Sequence, residues 1–245
     1  MSDYISSIRE RYEKVLDIIA TSALKVGRKP GSTRLVVVTK LQPPEVIQAA
    51  IEAGARILGE NYADEAAEKI SALKTQSAVE WHMIGHVQSR KASLVVRYFS
   101  LVHSLDSLRL AQRLNRCAVE LGRTLPVLLE FNVSGEKSKH GWEAADDSMW
   151  PDLLPEVNAL AILPNLKLVG LMTMPPLSTD PEAARIHFRQ LRRLRDFLAK
   201  RVPQVEWSEL SMGTSADFAV AVEEGATLVR IGQAILGPRF EAKDK

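Results

Sequence analysis

Lys40 comes directly after Val36-Val37-Val38-Thr39, so its stem begins at the end of an apolar run. An amine placed there is partly desolvated, which lowers its pKa and makes it a nucleophile toward a carbonyl. The plainer alternative is a lysine that snorkels from a strand end into water. Ser211-Met212-Gly213-Thr214-Ser215 sets a glycine among hydroxyls just ahead of a helical pattern. Free N–H groups and the positive dipole end there could hold an anion, or the hydroxyls could simply cap the helix. In Arg230-Ile231-Gly232-Gln233, Gly232 allows close backbone approach. Arg230, flanked by Val229 and Ile231, should be at least partly buried, and a buried Arg needs a partner: a strand-end carboxylate such as Glu60, or a ligand atom.

The elements that must position these groups follow from the apolar pattern. Short runs rich in Val, Ile and Leu recur at 35–40, 56–61, 81–85, 101–106, 127–132, 168–174, 207–213 and 228–236. Most are continuous rather than alternating, as expected of parallel strands covered on both faces. Helical patterns lie between them at 44–53, 63–73, 89–98, 107–121, 181–201 and 215–224, and a leading helix is expected over 4–25. Glu45 starts the first of these and Gly54 stops it. Residues 134–155 read as a long loop and a helix of uncertain start. The first strand–helix turn, Thr39-Lys40-Leu41-Gln42-Pro43, has no glycine, unlike an open dinucleotide-binding sheet. Eight units in this length predict one closed (β/α)8 barrel, a TIM barrel, spanning residues 1–245 as a single domain. Barrel chemistry sits at the C-terminal strand ends, and phosphate often binds between the loops after strands seven and eight. A lysine, an anion cradle and a buried arginine around one mouth together suggest pyridoxal 5′-phosphate.

Composition narrows the alternatives. The chain has 245 residues, 46% of them apolar and 25% charged, which is ordinary globular composition. Lys plus Arg (32) nearly balances Asp plus Glu (30), so no strong field recruits nucleic acid or an anionic membrane. Cys117 is the only cysteine, which excludes an internal disulfide and a Cys-rich metal site. No run approaches the roughly 18 apolar residues of a membrane span. The charged N-terminus has no signal-peptide stretch, so a cytoplasmic protein is expected; a monomer is expected as well. His82 and His86 lie at a strand end rather than on a helix, so their spacing does not read as a ligand pair, and His140 reads as solvated; no metal site is expected. Arg185, Arg189, Arg192, Arg193 and Arg195 read as a solvated helix face.

Further segments carry a resemblance: Leu35-Val36-Val37-Val38-Thr39-Lys40, Gly59-Glu60-Asn61-Tyr62, Trp81-His82-Met83-Ile84-Gly85 with Gln88 and Lys91, and His103-Ser104-Leu105-Asp106. They continue with Asn132-Val133-Ser134, Glu136 and Lys139, with Gly170-Leu171-Met172-Thr173, with Ser211 to Asp217, and with Val229-Arg230-Ile231-Gly232. In this order and spacing, over nearly the whole chain, the sequence resembles the pyridoxal phosphate homeostasis protein family, similar in fold to the N-terminal barrel of alanine racemase (fold type III). The resemblance implies that Lys40 carries the cofactor as an imine. It implies that Ser211 and Thr214, with backbone near Gly232 and Gln233, hold the phosphate, and that Arg230 faces the ring nitrogen. Asn61, His82 and Met172 would line the pocket. The chain departs from the family at Gln233, where Thr is usual, and at Arg90, often Asn. At Gln233 the hydroxyl is lost but the backbone N–H is kept.

Three functions compete. The first is a carrier that buffers pyridoxal phosphate and hands it to apo-enzymes without robust turnover. The second is a pyridoxal-phosphate-dependent amino-acid racemase, which needs an acid/base group on each face of the bound substrate. Lys40 would supply one; in alanine racemase the other is a Tyr from the partner subunit's additional domain, for which this length leaves no room. Tyr62 and Tyr98 are the nearest internal candidates. The third is a Schiff-base aldolase pairing Lys40 with Glu60 or Asp106. The expectation is the carrier.

Overall fold

The computed structural model describes residues 2–73 and 79–237, with side chains from Ile5 onward. Residue 1, residues 74–78 and residues 238–245 of the single unit expected over 1–245 lie outside the described residues.

Eight parallel strands close into a ring. They are β1 (Arg34–Val38), β2 (Ile57–Glu60), β3 (Glu80–Met83), β4 (Leu101–Leu105), β5 (Leu125–Asn132), β7 (Leu166–Met172), β8 (Glu209–Ser211) and β9 (Leu228–Ile231). Their order is β4-β3-β2-β1-β9-β8-β7-β5, and β4 pairs with β5 to complete the barrel. The two ends of the chain's strand series meet where Arg34 to Val37 of β1 align with Leu228 to Ile231 of β9. The expected eight-unit barrel is therefore the observed one. A ninth strand, β6 (Trp142–Glu143), only adds two residues beside Phe131 and Asn132 of β5.

The continuous apolar runs are explained by two separate cores. Val36, Ile57, Leu101, Leu128, Met172 and Leu228 cluster inside the barrel. Their neighbours in sequence, such as Val37, Leu58, Val102, Leu129 and Val229, belong to the larger cluster between strands and helices. That outer layer comprises α2 (Pro44–Glu52), α3 (Ala63–Ala72), α4 (Ala92–Tyr98), α5 (Leu108–Glu120), α6 (Leu154–Ala161), α7 (Arg185–Arg201), α8 (Phe218–Glu223) and α9 (Gln233–Leu236). The leading helix α1 (Ser2–Lys25) lies on α2, α8 and α9. It buries Ile8, Val15, Ile19 and Ala23, the single stripe that a period of 3.6 dictates.

Several boundaries move from the sequence expectation. The expected strand 228–236 stops at Ile231, and Gln233–Leu236 is a short helix. Its apolar residues Ile235 and Leu236 are buried as a helical pair; an unbroken apolar run does not by itself distinguish the two states. The stretch 134–155 holds β6 and a 3-10 turn, Asp147–Leu153, capped by the Asp146 carboxylate. The expected helix 215–224 begins only at Phe218, because Thr214 to Asp217 form a turn first. Arg185, Arg189 and Arg192 of α7 converge on the Glu224 carboxylate, and Arg185 also meets Glu223. Much of the basic run is thus paired within the chain. Among the described residues, no helix is long and apolar enough to cross a membrane.

Candidate functional site

The backbone on both sides of Lys40 is held by a buried polar cluster. Thr39 turns toward α3, where its hydroxyl donates to Glu60 Oε1 at 2.7 Å. Lys69 of α3 reaches the same oxygen at 2.8 Å and donates to the Thr39 carbonyl at 2.9 Å. Lys69 also pairs with Glu65 Oε1 at 2.5 Å, and that oxygen accepts the Leu41 N–H at 2.8 Å. The Lys40 peptide is therefore tied through its neighbours on either side, and Lys40 itself is half-buried at the strand end. Leu41 takes φ 59, a conformation that costs a non-glycine residue energy and persists only when its surroundings enforce it. Burial pushes the Glu60 pKa up, opposed by the Lys69 charge, and Glu60 Oε2 is buried without a hydrogen-bond partner.

Arg230 is buried inside the barrel, and its partner is not Glu60, the first of the two alternatives open to it. Glu60 faces outward to α3, on the opposite side of the β2 backbone, and is engaged by Thr39 and Lys69. Arg230 donates to Ser211 Oγ, to the Thr173 carbonyl at 3.0 Å, and contacts Met174 Sδ at 2.9 Å. Burial lowers its pKa to about 10, against the charges of Glu130 and Asp217, so it remains a cation at neutral pH.

From Arg230 a hydrogen-bonded chain crosses the barrel interior. Ser211 Oγ lies 2.7 Å from His103 Nδ1, His103 Nε2 lies 3.0 Å from His82 Nδ1, and His82 Nε2 lies 3.4 Å from Glu80 Oε2. Its direction follows from one fact: a guanidinium can only donate. Ser211 must accept from Arg230 and hand its own hydrogen to His103 Nδ1. His103 then carries its proton on Nε2 and donates to His82, which donates from Nε2 to Glu80. Both imidazoles are neutral in this arrangement, and burial drives both pKa values down, His103 the further. Glu80 opens β3 and lines a cleft of about 300 Å³ with Arg34, Lys167 and Glu209, so the chain spans from one face of the barrel toward the other.

The loops after β8 and β9 come close to the end of β1. Gly213 has φ +94, and a Cβ there would stand 2.5 Å from Ala221 Cβ. A Cβ on Gly232 would stand 3.1 Å from the Val38 carbonyl oxygen. Only glycine permits the approach at Gly213, whereas at Gly232 a side chain would be tight. Thr214 donates its N–H and its hydroxyl to Asp217 Oδ1, at 2.6 and 3.1 Å. Gln233 is exposed at the first position of α9.

The remaining expected residues divide. Asn61, half-buried, lines a cleft of about 420 Å³ with Tyr62, Asp64, His86 and Lys91. His82 and Met172 are closed within the barrel, at 1% exposure each. Met174, two residues further on, is the thioether that reaches Arg230 at the mouth. Sequence reasoning gave no role to Lys69, His103, Met174 or Glu130. A signal for Lys69 existed, since it follows Glu65 by one helical turn and sits on a face that must meet β1 and β2.

Comparison with known proteins agrees with this geometry. Residues 20–239 match the family model described as alanine racemase, N-terminal domain. The pyridoxal phosphate homeostasis protein of Aquifex aeolicus is 41% identical over 231 residues, 94% of this chain and 97% of the relative. That of Escherichia coli K12 is 36% identical over 242 residues, covering 98% and 100%. PipY of Synechococcus elongatus, solved with PLP bound, superposes with a TM-score of 0.79 at 35% identity, covering 94% of this chain and 100% of that one. An alanine racemase of Clostridium difficile shares the fold alone, with a TM-score of 0.67 at 17% identity, and this chain covers 60% of it. With the barrel, its mouth and these full-length relatives in agreement, the chain belongs to the pyridoxal phosphate homeostasis protein family.

Proposed function

We propose that this protein binds pyridoxal 5′-phosphate at the C-terminal mouth of the barrel and acts as a cytoplasmic, monomeric carrier that supplies apo-enzymes, rather than as an amino-acid racemase. The observation that carries the reading is the double tether of the Lys40 peptide, which fixes a half-buried amine at the same mouth as a buried arginine. The residues fit the group. Lys40 would hold its aldehyde carbon covalently. The close approach at Gly213 and Gly232 would leave main-chain N–H groups just after Thr214, whose own N–H and hydroxyl are held by Asp217 Oδ1, and at Gln233 for the phosphate, with Ser211 behind them. Asn61 borders the mouth, and His82 and Met172 support it from within.

When bound, the cofactor supplies an electrophilic carbonyl and a ring able to accept electrons. Arg230, a donor only, would leave the ring nitrogen unprotonated and the ring a poorer electron sink than a protonated one, without abolishing its chemistry. Full-length relatives at 36–41% identity carry the name of homeostasis proteins, which supports the same reading.

Spectroscopy of the purified protein tests it. Added pyridoxal phosphate should give a visible band that borohydride abolishes, with the reduced adduct mapping to Lys40 by peptide mass. Lys40→Ala should fold and lose the band. A wild-type protein that stays colourless with excess cofactor would overturn the proposal, and robust racemisation of alanine would overturn the carrier role.

A further inference from the structure

We propose that His86, Asp106 and His140 form a binding site for one divalent transition-metal ion of the zinc type, at the rim of the barrel mouth. The three residues are far apart in sequence and are brought together by consecutive strand ends: His86 after β3, Asp106 after β4, and His140 in the loop after β5. Their ligand atoms all lie within 4.8 Å of one another. His86 Nδ1 and Asp106 Oδ2 are already 2.9 Å apart. Two ligands held about 2.0–2.2 Å from a tetrahedral ion stand roughly 3.3–3.5 Å from each other, so this pair needs only to part slightly. His140 must move in by up to about 1.5 Å, which rotation of an exposed side chain supplies.

The supporting contacts suit a ligand set. Asp106 is nearly enclosed, at 12% side-chain exposure, and its other oxygen accepts the Ser107 hydroxyl at 3.1 Å, which orients the carboxylate. The rings of His86 and His140 stack with centroids 4.7 Å apart and planes 17° from parallel, which brings the two imidazoles together, and the exposed His140 ring must turn out of this stack for both lone pairs to point at one ion. Two imidazole nitrogens and one carboxylate oxygen suit Zn²⁺ and its late first-row neighbours better than Ca²⁺ or Mg²⁺, which prefer all-oxygen sets. Three protein ligands leave a coordination position open. His86 also lines the 420 Å³ cleft with Asn61 and Lys91, so that position would take water or an anionic group entering the cleft. The site uses no residue assigned to the cofactor, and it stands or falls separately from the pyridoxal phosphate reading.

Titration of the full chain with Zn²⁺ alone, followed by calorimetry, and with Co²⁺, followed by its visible absorption, tests the site after dialysis against a chelator. One equivalent should bind, and His86→Gln and His140→Gln should each weaken binding by about tenfold or more. His187→Gln, a change on α7 away from the cluster, should leave binding unchanged. Because His140 is exposed on a loop, its variant carries the test even if His86→Gln folds poorly. The proposal is overturned if no saturable binding occurs, or if His140→Gln binds as tightly as the wild type. Those outcomes would leave an ordinary His–Asp hydrogen bond with a stacked neighbour.

Discussion

Lys69 sits beneath Lys40 without belonging to the mouth. Its ammonium ties together the Thr39 carbonyl, Glu60 and Glu65, and thereby both peptides that flank Lys40. Removing it leaves Glu60 buried and uncompensated, the situation in which breaking a buried pair costs about 3–5 kcal/mol. Lys69→Met should therefore lose stability on that scale in urea denaturation. The double variant Lys69→Met/Glu60→Gln should recover part of it, because the stranded charge is gone. Glu130 offers a second test through pH. Burial and the neighbouring Asp106 charge raise its pKa from 4.5 to about 7. The folded state thus binds this proton more tightly than the unfolded chain does. Its stabilising contribution is fully present below pH 4.5 and is lost as pH rises through about 7, by up to about 3 kcal/mol. Glu130→Gln should gain stability relative to wild type at pH 8 and little at pH 4.5, read from denaturation midpoints at the two pH values. Lys40 was legible because a lysine closing an apolar run is conspicuous. Lys69 was missed although its spacing from Glu65 was visible, because an i,i+4 pair reads equally well as an exposed ion pair and does not say that the lysine points inward.

At the level of elements, β3, β4, β8 and β9 each place one polar residue in the barrel interior: His82, His103, Ser211 and Arg230. An interior otherwise filled by Val36, Leu128 and Met172 tolerates them because every donor in the sequence meets an acceptor. Their neutral, Nε2-protonated form is a definite expectation. At pH 6.5, where an exposed histidine is about half charged, the imidazole nitrogens of His82 and His103 should keep the shifts of that tautomer, with His103 holding it to lower pH than His82; ¹⁵N spectra of histidine-labelled protein read this directly. Charging of either ring at pH 6.5 would contradict it. Strand positions were readable from apolar runs, but which polar residues the strands would bring together was not. That depends on register, such as Gly59 opposite His82 and Val36 opposite Arg230, and a single sequence does not encode register locally. The same limit explains Arg230: its need for a partner was visible in Val229-Arg230-Ile231, whereas the partner's identity required knowing that Glu60 faces outward. The last strand overran for a related reason, since Ile235 and Leu236 continue its hydrophobicity after the chain has already turned into α9.

For the molecule as a whole, the count of strand–helix units and the length pointed to one closed barrel, because both are properties of the entire chain and tolerate boundary errors of a few residues. The leading helix was equally visible, as a periodic stripe that needed a surface to cover, and the barrel supplies one through α2, α8 and α9. The ring closure has a consequence for how such a protein meets others. Since β4 pairs with β5 and β1 with β9, each barrel strand has a neighbour on either side. No barrel strand offers the unpaired main-chain edge through which chains polymerise or capture a peptide by strand addition. Contact with another protein must therefore be made through side chains and loops. On the proposed carrier reading this suits a hand-over, since such contacts can form and part quickly.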